Sequence, residues 1–398
     1  MKLFLAFLLI LAMAIWGSDW VISRLGKVTH KKRLMLAGIE FLLAGILLGD
    51  HALGLLDKEV LNQLSPLSAL VLGGIGFLCG ADIELKRLRI FPSRFFKVAL
   101  VQSVTTFVLV FALVGGALAL FRSMFPAVDI LMFAFAVAAL AITSSPAVLA
   151  FCRNVLERSR DLDLFIFVTG LDGLLAIFVF SIPFSSRLPA FEGVQSWLGP
   201  LIWVAGSVAI GALLGLTLHI LARFRCSQDE LVLFIMGVVV LSAGVSSRFG
   251  ICSLLVNASA GIVAANLEPA GARIRRAMVS MERPMYIALL ILAGASIRLD
   301  STWPIFMAVV YMASRIPGKF AGVWLGSALV REKTRTRAGV LLVPQGGVAL
   351  AMALSMVRAF PGAASDGLLL FVILAFLVQE ILATRLAQKI FLNDKEKC

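Results

Sequence analysis

The sequence predicts an all-helical polytopic membrane protein of about thirteen spans. Three observations carry this. Of 398 residues, 60% are hydrophobic and 15% charged, and the mean hydropathy is +0.99, well outside the usual range for soluble globular chains. Apolar stretches of the roughly 20 residues that a helix needs to cross a bilayer recur along the whole length, with short loops between them. Lys and Arg gather in alternate loops, as the positive-inside rule requires of a multispanning chain. No soluble domain interrupts the series, so residues 1–398 read as a single membrane domain.

The opening MKLFLAFLLILAMAIWGSDW has one basic residue, Lys2, before its apolar run and no small-residue cleavage site before Asp19. It therefore reads as the first span and not as a signal peptide. Further spans centre near residues 42, 75, 109, 140, 173, 210, 239, 260, 290, 316, 348 and 377. The loops RLGKVTHKKR, ELKRLRIFPSRFFK, RNVLERSR, RFRC, ARIRRAMVSMER and REKTRTR, with the tail from Arg385, hold nearly all the basic residues; DHALGLLDKEVLNQ and PGAASD are acidic or nearly neutral. This asymmetry predicts an external N-terminus and a cytoplasmic C-terminus.

The same asymmetry accounts for the net charge of +13 without nucleic acid as a partner. Arg24, Lys31, Lys32 and Arg33 read as topology determinants within reach of anionic lipid headgroups. The five cysteines, Cys79, Cys152, Cys226, Cys252 and Cys398, have no CxxC or Cys/His spacing, so neither a metal site nor a disulfide framework is expected. Without a nucleotide loop, HExxH or nucleophile motif, an enzyme is not expected.

Ionisable residues inside the spans point to function. Asp172 interrupts FVTGLDGLLAIFVF, where a charge costs roughly 2.5 to 3.5 kcal/mol even on a lenient insertion scale. Arg315 and Lys319 lie deep in IFMAVVYMASRIPGKFAGVWLGSALV, one helical turn apart and so on a similar face. Both are candidate partners of Asp172. Glu40 reads as a helix-end residue snorkelling toward the first basic loop. His30 reads as an exposed loop histidine, His51 and His219 have no assignable partners, and GxxxG spacings are close to chance among 33 glycines.

Two spans carry a proline among polar or glycine residues near mid-membrane: Thr143, Ser144, Ser145 and Pro146 in one, Pro344, Gln345, Gly346 and Gly347 in the other. Either alone reads equally as a proline kink. Two of them, seven spans apart and each followed by another span, predict inverted repeats with crossed discontinuous helices, as in secondary transporters. The first core triplet would cover 95–185 with its break near 143–146, and the second 304–392 with its break near 343–347. The remaining spans form a scaffold. A pseudo-twofold would bring Asp172 near Arg315 and Lys319.

Short motifs then add a resemblance. LAGIEFLLAGILLGDHALGLL, GFLCGADIELKRLR, LLVNASAGIVAAN and VPQGGVALAMAL, in this order and at these intervals, resemble the monovalent cation:proton antiporter superfamily over nearly the whole chain. The likeness is closer to the bacterial branch that includes potassium-efflux antiporters. It implies the sodium/proton antiporter fold in a bacterial inner membrane, a homodimer through the early spans and those near 210 to 240, no cofactor, and Na+ or K+ and H+ as transported ions. It also implies that Asp172 is the ion-binding acid, that Thr143 to Pro146 form the unwound crossing helix, and that Lys319 or Arg315 is the buried basic residue. Leu171 stands where the family resembles DD or ND, and TSSP lacks the acid of TDP. Both departures remove a candidate cation ligand.

The expected mechanism is competition between a proton and an alkali cation for Asp172. Thr143, Ser144, Ser145, the freed carbonyls and Gln345 are the available oxygens. With one acid, one-for-one electroneutral exchange is expected. Other readings are a purely structural salt bridge at Asp172, a sodium-coupled organic-anion transporter of similar architecture, and a non-transporting sensor or channel.

Overall fold

The computed structural model describes residues 2–27, 38–125, 129–145, 160–186, 198–224, 227–330 and 336–393. Its helices are α1 (Lys2–Lys27), α2 (Ile39–Leu48), α3 (Lys58–Gln63), α4 (Ser65–Ala81), α5 (Ser93–Leu120), α6 (Ile130–Ile142), α7 (Arg160–Ser185), α8 (Leu198–Arg223), α9 (Gln228–Phe249), α10 (Ser253–Asn266), α11 (Gly271–Ala295), α12 (Trp303–Leu329), α13 (Gly347–Ala359) and α14 (Ala363–Asn393). A single turn at Leu85–Leu88 and 3-10 turns at Arg122–Met124 and Thr336–Leu342 complete the series. No β-strand occurs among the described residues.

Local chemistry sets several helix ends. Asp129 caps α6 by accepting from the Leu131 and Met132 amides at 3.1 and 3.3 Å. Ser227 and Glu230 form a reciprocal capping box on α9, which Gly250 ends in the left-handed region at φ 69. DHALGLLDKEVLNQ, expected as a plain loop, contains α3, started by Asp57 accepting from the Val60 amide at 2.9 Å.

Among the described residues, seven helical segments are long and apolar enough to cross a membrane by themselves: α5, α7, α8, α9, α11, α14, and α13 extended back to Gly339. The other expected spans are shorter or more polar. Helix α6 stops at Ile142 because Thr143 turns extended at φ −55, ψ 147, and α12 carries both Arg315 and Lys319.

The packing is an inverted-repeat helical bundle. Helices α5 and α12 run antiparallel in close contact, and each leads into an interrupted segment and then a long helix. Their backbones meet along a glycine stripe. A Cβ on Gly318 would lie 3.2 Å from the Thr106 Cα, one on Gly322 2.8 Å from the Gln102 Cα, and one on Gly326 3.1 Å from the Val98 Cα. The same i, i+4 glycine spacing brings α2 onto α11 (Gly45, Gly49), α4 onto α10 (Gly76, Gly80) and α8 onto α10 (Gly211, Gly215). Spacings that look like chance in the sequence are therefore used at four helix contacts. Small residues matter there because lipid tails give helices no hydrophobic reason to associate, leaving close van der Waals contact to hold them.

An aromatic layer joins several helix ends: Trp303 meets Phe125 and Phe133 edge-on, Phe121 meets Phe306 and Phe184 meets Phe360.

Gly322→Val should drive its side chain into the Gln102 backbone and destabilise the fold by about 1–3 kcal/mol, the usual cost of overpacking. Gly116→Ala, where a Cβ meets nothing within 4 Å, should be neutral or better. Thermal unfolding in detergent micelles compares them, and equal midpoints would remove the close-contact account of the stripe.

Candidate functional site

The two interruptions cross each other. After α6 the chain runs extended through Thr143 to Ser145; after the Thr336–Leu342 turn it runs through Val343 to Gly346, which is extended at φ −89, ψ 173. The Ser145 amide donates to the Pro344 carbonyl at 2.9 Å, and the Ser144 hydroxyl lies 3.3 Å from the Leu342 carbonyl. Gly346 allows the approach: a Cβ there would stand 3.2 Å from the Ser144 carbonyl oxygen. Both short segments point their C-terminal carbonyls at the crossing, so each contributes a partial negative charge.

Two cations from α12 meet those carbonyls. Arg315 is fully buried. Its Nε donates to the Ala141 carbonyl at 3.1 Å and its Nη2 to the Thr143 carbonyl at 2.6 Å, while Nη1 donates to the Val343 carbonyl and the Gln379 side-chain oxygen. One guanidinium thus fastens α6, the second interruption and α14 to α12. The planar fork of five donors suits arginine to this and not lysine.

Lys319, also fully buried, donates through Nζ to the Ile142 carbonyl at 2.5 Å, the Ser144 hydroxyl at 2.9 Å and Asp172 Oδ2 at 2.9 Å. The Asp172 carboxylate, at 0% exposure, also accepts from Ser144 at 2.6 Å on Oδ2 and from Ser103 of α5 at 2.8 Å on Oδ1. Gln102 completes the ring. With its amide turned to satisfy both ends, its nitrogen donates to Asp172 Oδ1 at 3.0 Å and its oxygen accepts from Lys319 at 3.0 Å. A buried ion pair this well hydrogen-bonded offsets the desolvation of its charges; removing either partner would strand the other.

The sequence leaves Lys319 and Arg315 as equal candidates. In the fold Lys319 pairs with Asp172, whereas Arg315 binds backbone carbonyls and the Gln379 side chain. Ser144 sits at the centre, and Ser145 ties the two interruptions through its amide. Thr143 differs from expectation as a ligand: its hydroxyl donates back to the Leu140 carbonyl at 2.8 Å and its own carbonyl is held by Arg315. Gln345 turns to the Tyr311 hydroxyl, Pro344 supplies its carbonyl, and Gly347 lies against the Tyr286 ring. The freed carbonyls expected to face an alkali ion are occupied by Arg315 and Lys319. Pro146 and His30 lie outside the described residues. Glu40 is half-buried, its Oε1 has no partner among the described residues, and residues 28–33 of the basic loop expected to attract it lie outside them. His51 accepts from the Leu299 amide at 3.3 Å.

Gln102, Ser103 and Gln379 go unnoticed in the sequence, as does Glu380. The available signal for the first two is VQSVTTF, a polar cluster inside α5. Asp172 and Glu380 are the buried acids among the described residues, and Glu380 Oε2 has no hydrogen-bond partner among them.

The family model described as sodium/hydrogen exchanger, transmembrane, matches residues 3–389. A structure of the sodium proton antiporter MjNhaP1 from Methanocaldococcus jannaschii at pH 8 superposes with a TM-score of 0.65 at 16% identity, covering 98% of this chain and 99% of that one. An electron-microscopy structure of the same antiporter gives a TM-score of 0.67 at 16% identity with the same coverage. At that identity the likeness is one of fold. No curated protein matches the chain.

Arg315→Lys keeps the charge but cannot reach four acceptors. Two or more should be left unpaired, at about 1–3 kcal/mol each, with a correspondingly lower thermal midpoint in micelles. A midpoint equal to the parent's would show that the guanidinium does not hold the crossing.

Proposed function

The chain belongs to the sodium/hydrogen exchanger family, and from that premise we propose that it exchanges one Na+ or K+ for one proton, with the Asp172–Lys319 pair as the exchanging site. It is an integral membrane protein and a cation/proton transporter, not an enzyme. The observation that carries the proposal is a carboxylate and an ammonium, both with fully buried side chains, 2.9 Å apart where two interrupted segments cross.

Charge balance supplies the mechanism. The pair Asp172(−)·Lys319(+) is neutral. An alkali cation that takes Asp172 displaces the ammonium, and an unpaired ammonium in a dry site is costly. Lys319 then releases one proton to water and stays as a neutral amine. The loaded triad of cation, carboxylate and amine is again neutral. Both forms can move through a low-dielectric barrier, while a carboxylate with neither cation nor ammonium cannot. Each crossing therefore carries a cation one way or a proton the other, and the exchange is electroneutral. Leu171, beside Asp172, adds no second acid to alter the count. The sequence predicts that a proton and a cation compete for Asp172 itself; on this proposal the Lys319 ammonium is the competitor and carries the proton.

We read residues 95–185 and 304–392 as the two core triplets that carry the site, and the remaining helices as scaffold. On this reading α1, α8 and α9 build a homodimer, and the protein sits in a bacterial inner membrane with its basic loops and C-terminus cytoplasmic. Exposed large apolar residues on α1, α8 and α9, among them Phe4, Leu213 and Leu233, suit either lipid or a second copy.

Exchange is read in proteoliposomes with an acid interior and a pH-sensitive dye as sodium or potassium is added. Cation-dependent collapse should appear in the parent and fall at least about a hundredfold, some 2.7 kcal/mol, in Asp172→Asn that still elutes as folded protein. Full exchange in that variant would sink the proposal, and loss of folding instead would favour a structural bridge. An imposed membrane potential should leave the parent rate unchanged; a rate that follows the potential contradicts one-for-one exchange.

A further inference from the structure

We infer that the Lys319 ammonium occupies the transported cation's own site, and that the oxygen cage around it fits a potassium-sized ion better than sodium. This rests on the exchange reading above and names its substrate. Four oxygens surround Nζ: the Ile142 carbonyl at 2.5 Å, the Ser144 hydroxyl at 2.9 Å, Asp172 Oδ2 at 2.9 Å and the Gln102 side-chain oxygen at 3.0 Å. They come from α6, the first interruption, α7 and α5. An ammonium group and a potassium ion contact oxygen at nearly the same distance, whereas sodium seeks shorter contacts. A cation replacing the ammonium meets three of the four oxygens at 2.9 to 3.0 Å, the larger spacing, with the Ile142 carbonyl closer.

Size selects only if the oxygens cannot close inward, and the contacts around each one bear on that. The Ile142 carbonyl lies between those of Ala141 and Thr143, both held by Arg315. Asp172 is held from its far oxygen by Ser103, whose hydroxyl also lies 2.9 Å from the Ala99 carbonyl. The Gln102 backbone is pressed against Gly322, where even a Cβ would lie 2.8 Å away. The Ser144 hydroxyl is itself held by its donation to Asp172 Oδ2 at 2.6 Å. Shrinking the cage around sodium would require moving α5, or α6 together with the guanidinium that holds it. Gln102 and the Ile142 carbonyl thereby become cation ligands, and Gln102 a residue that sets specificity.

The parent chain in proteoliposomes provides the test, with lithium, sodium, potassium and rubidium titrated separately against dye-reported proton movement. Potassium and rubidium should half-saturate at concentrations about tenfold or more below sodium and lithium. Gln102→Ala, which removes one cage oxygen and leaves Asp172 and Lys319 themselves in place, should raise the potassium value by a similar factor and so narrow the preference. Saturation by sodium or lithium at lower concentration than potassium overturns the size assignment while leaving exchange intact. An unchanged potassium value in Gln102→Ala removes Gln102 from the cage. If no alkali cation moves protons in folded protein, the exchange reading itself fails, which is a different result.

Discussion

The structure depends on balancing charge where no water can do so. Two segments end at one point inside the bundle, and each ending carries roughly half a negative charge in its unsatisfied carbonyls. Together they offset about one cation, and Arg315 is that cation. The remaining pair, Asp172 and Lys319, balances itself. Without Arg315 the interruptions would expose carbonyls at a depth where unsatisfied backbone is not tolerated. Without the interruptions, two cations would face one acid. The glycines of α12 belong to the same constraint, because the side chains of Arg315 and Lys319 reach both segments only if α12 lies close against its neighbours.

How much of this is legible in the sequence depends on how rare each residue is in its surroundings. Asp172, Arg315 and Lys319 stand out because charges are scarce in apolar spans, and the paired prolines stand out because they recur at matched positions. From these, the helical class and the inverted repeat follow. Which cation meets the acid is not legible: residues one turn apart share a face, and the choice rests on where a neighbouring carbonyl ends. Ser103 and Gln102 escape notice because one hydroxyl or amide in an apolar helix means little until a partner is placed beside it. Glu380 is hidden by its position near the basic tail, where a glutamate looks like an ordinary helix end, although it is buried. Thr143 misleads in the other direction, since a threonine at a helix end can satisfy itself on the preceding turn, as this one does on Leu140.

The likeness to the archaeal antiporter holds at 16% identity over nearly the full length of both chains. What survives such divergence is the architecture of crossing segments, and chemistry can be varied on it one side chain at a time. In this chain the acid count next to the crossing is low and an ammonium takes part in the balance. On the proposed exchange, proton and cation are alternative occupants of one neutral unit, and coupling needs no second titrating carboxylate beside it.

The glycine stripe between α5 and α12 has a mechanical meaning as well. Backbone rests on backbone at Gly318, Gly322 and Gly326, so the two helices cannot slide past one another by less than a full turn without collision. They behave as one beam. Gln102 and Ser103 ride on one half of it and Lys319 on the other, and Arg315 bolts the crossing to the same beam. On the proposed exchange, whatever moves to open one face of the membrane and then the other carries these groups together at constant spacing. On the size selection inferred above, discrimination between ions belongs to the beam and not to its orientation, and the same ion is favoured on entry from either side.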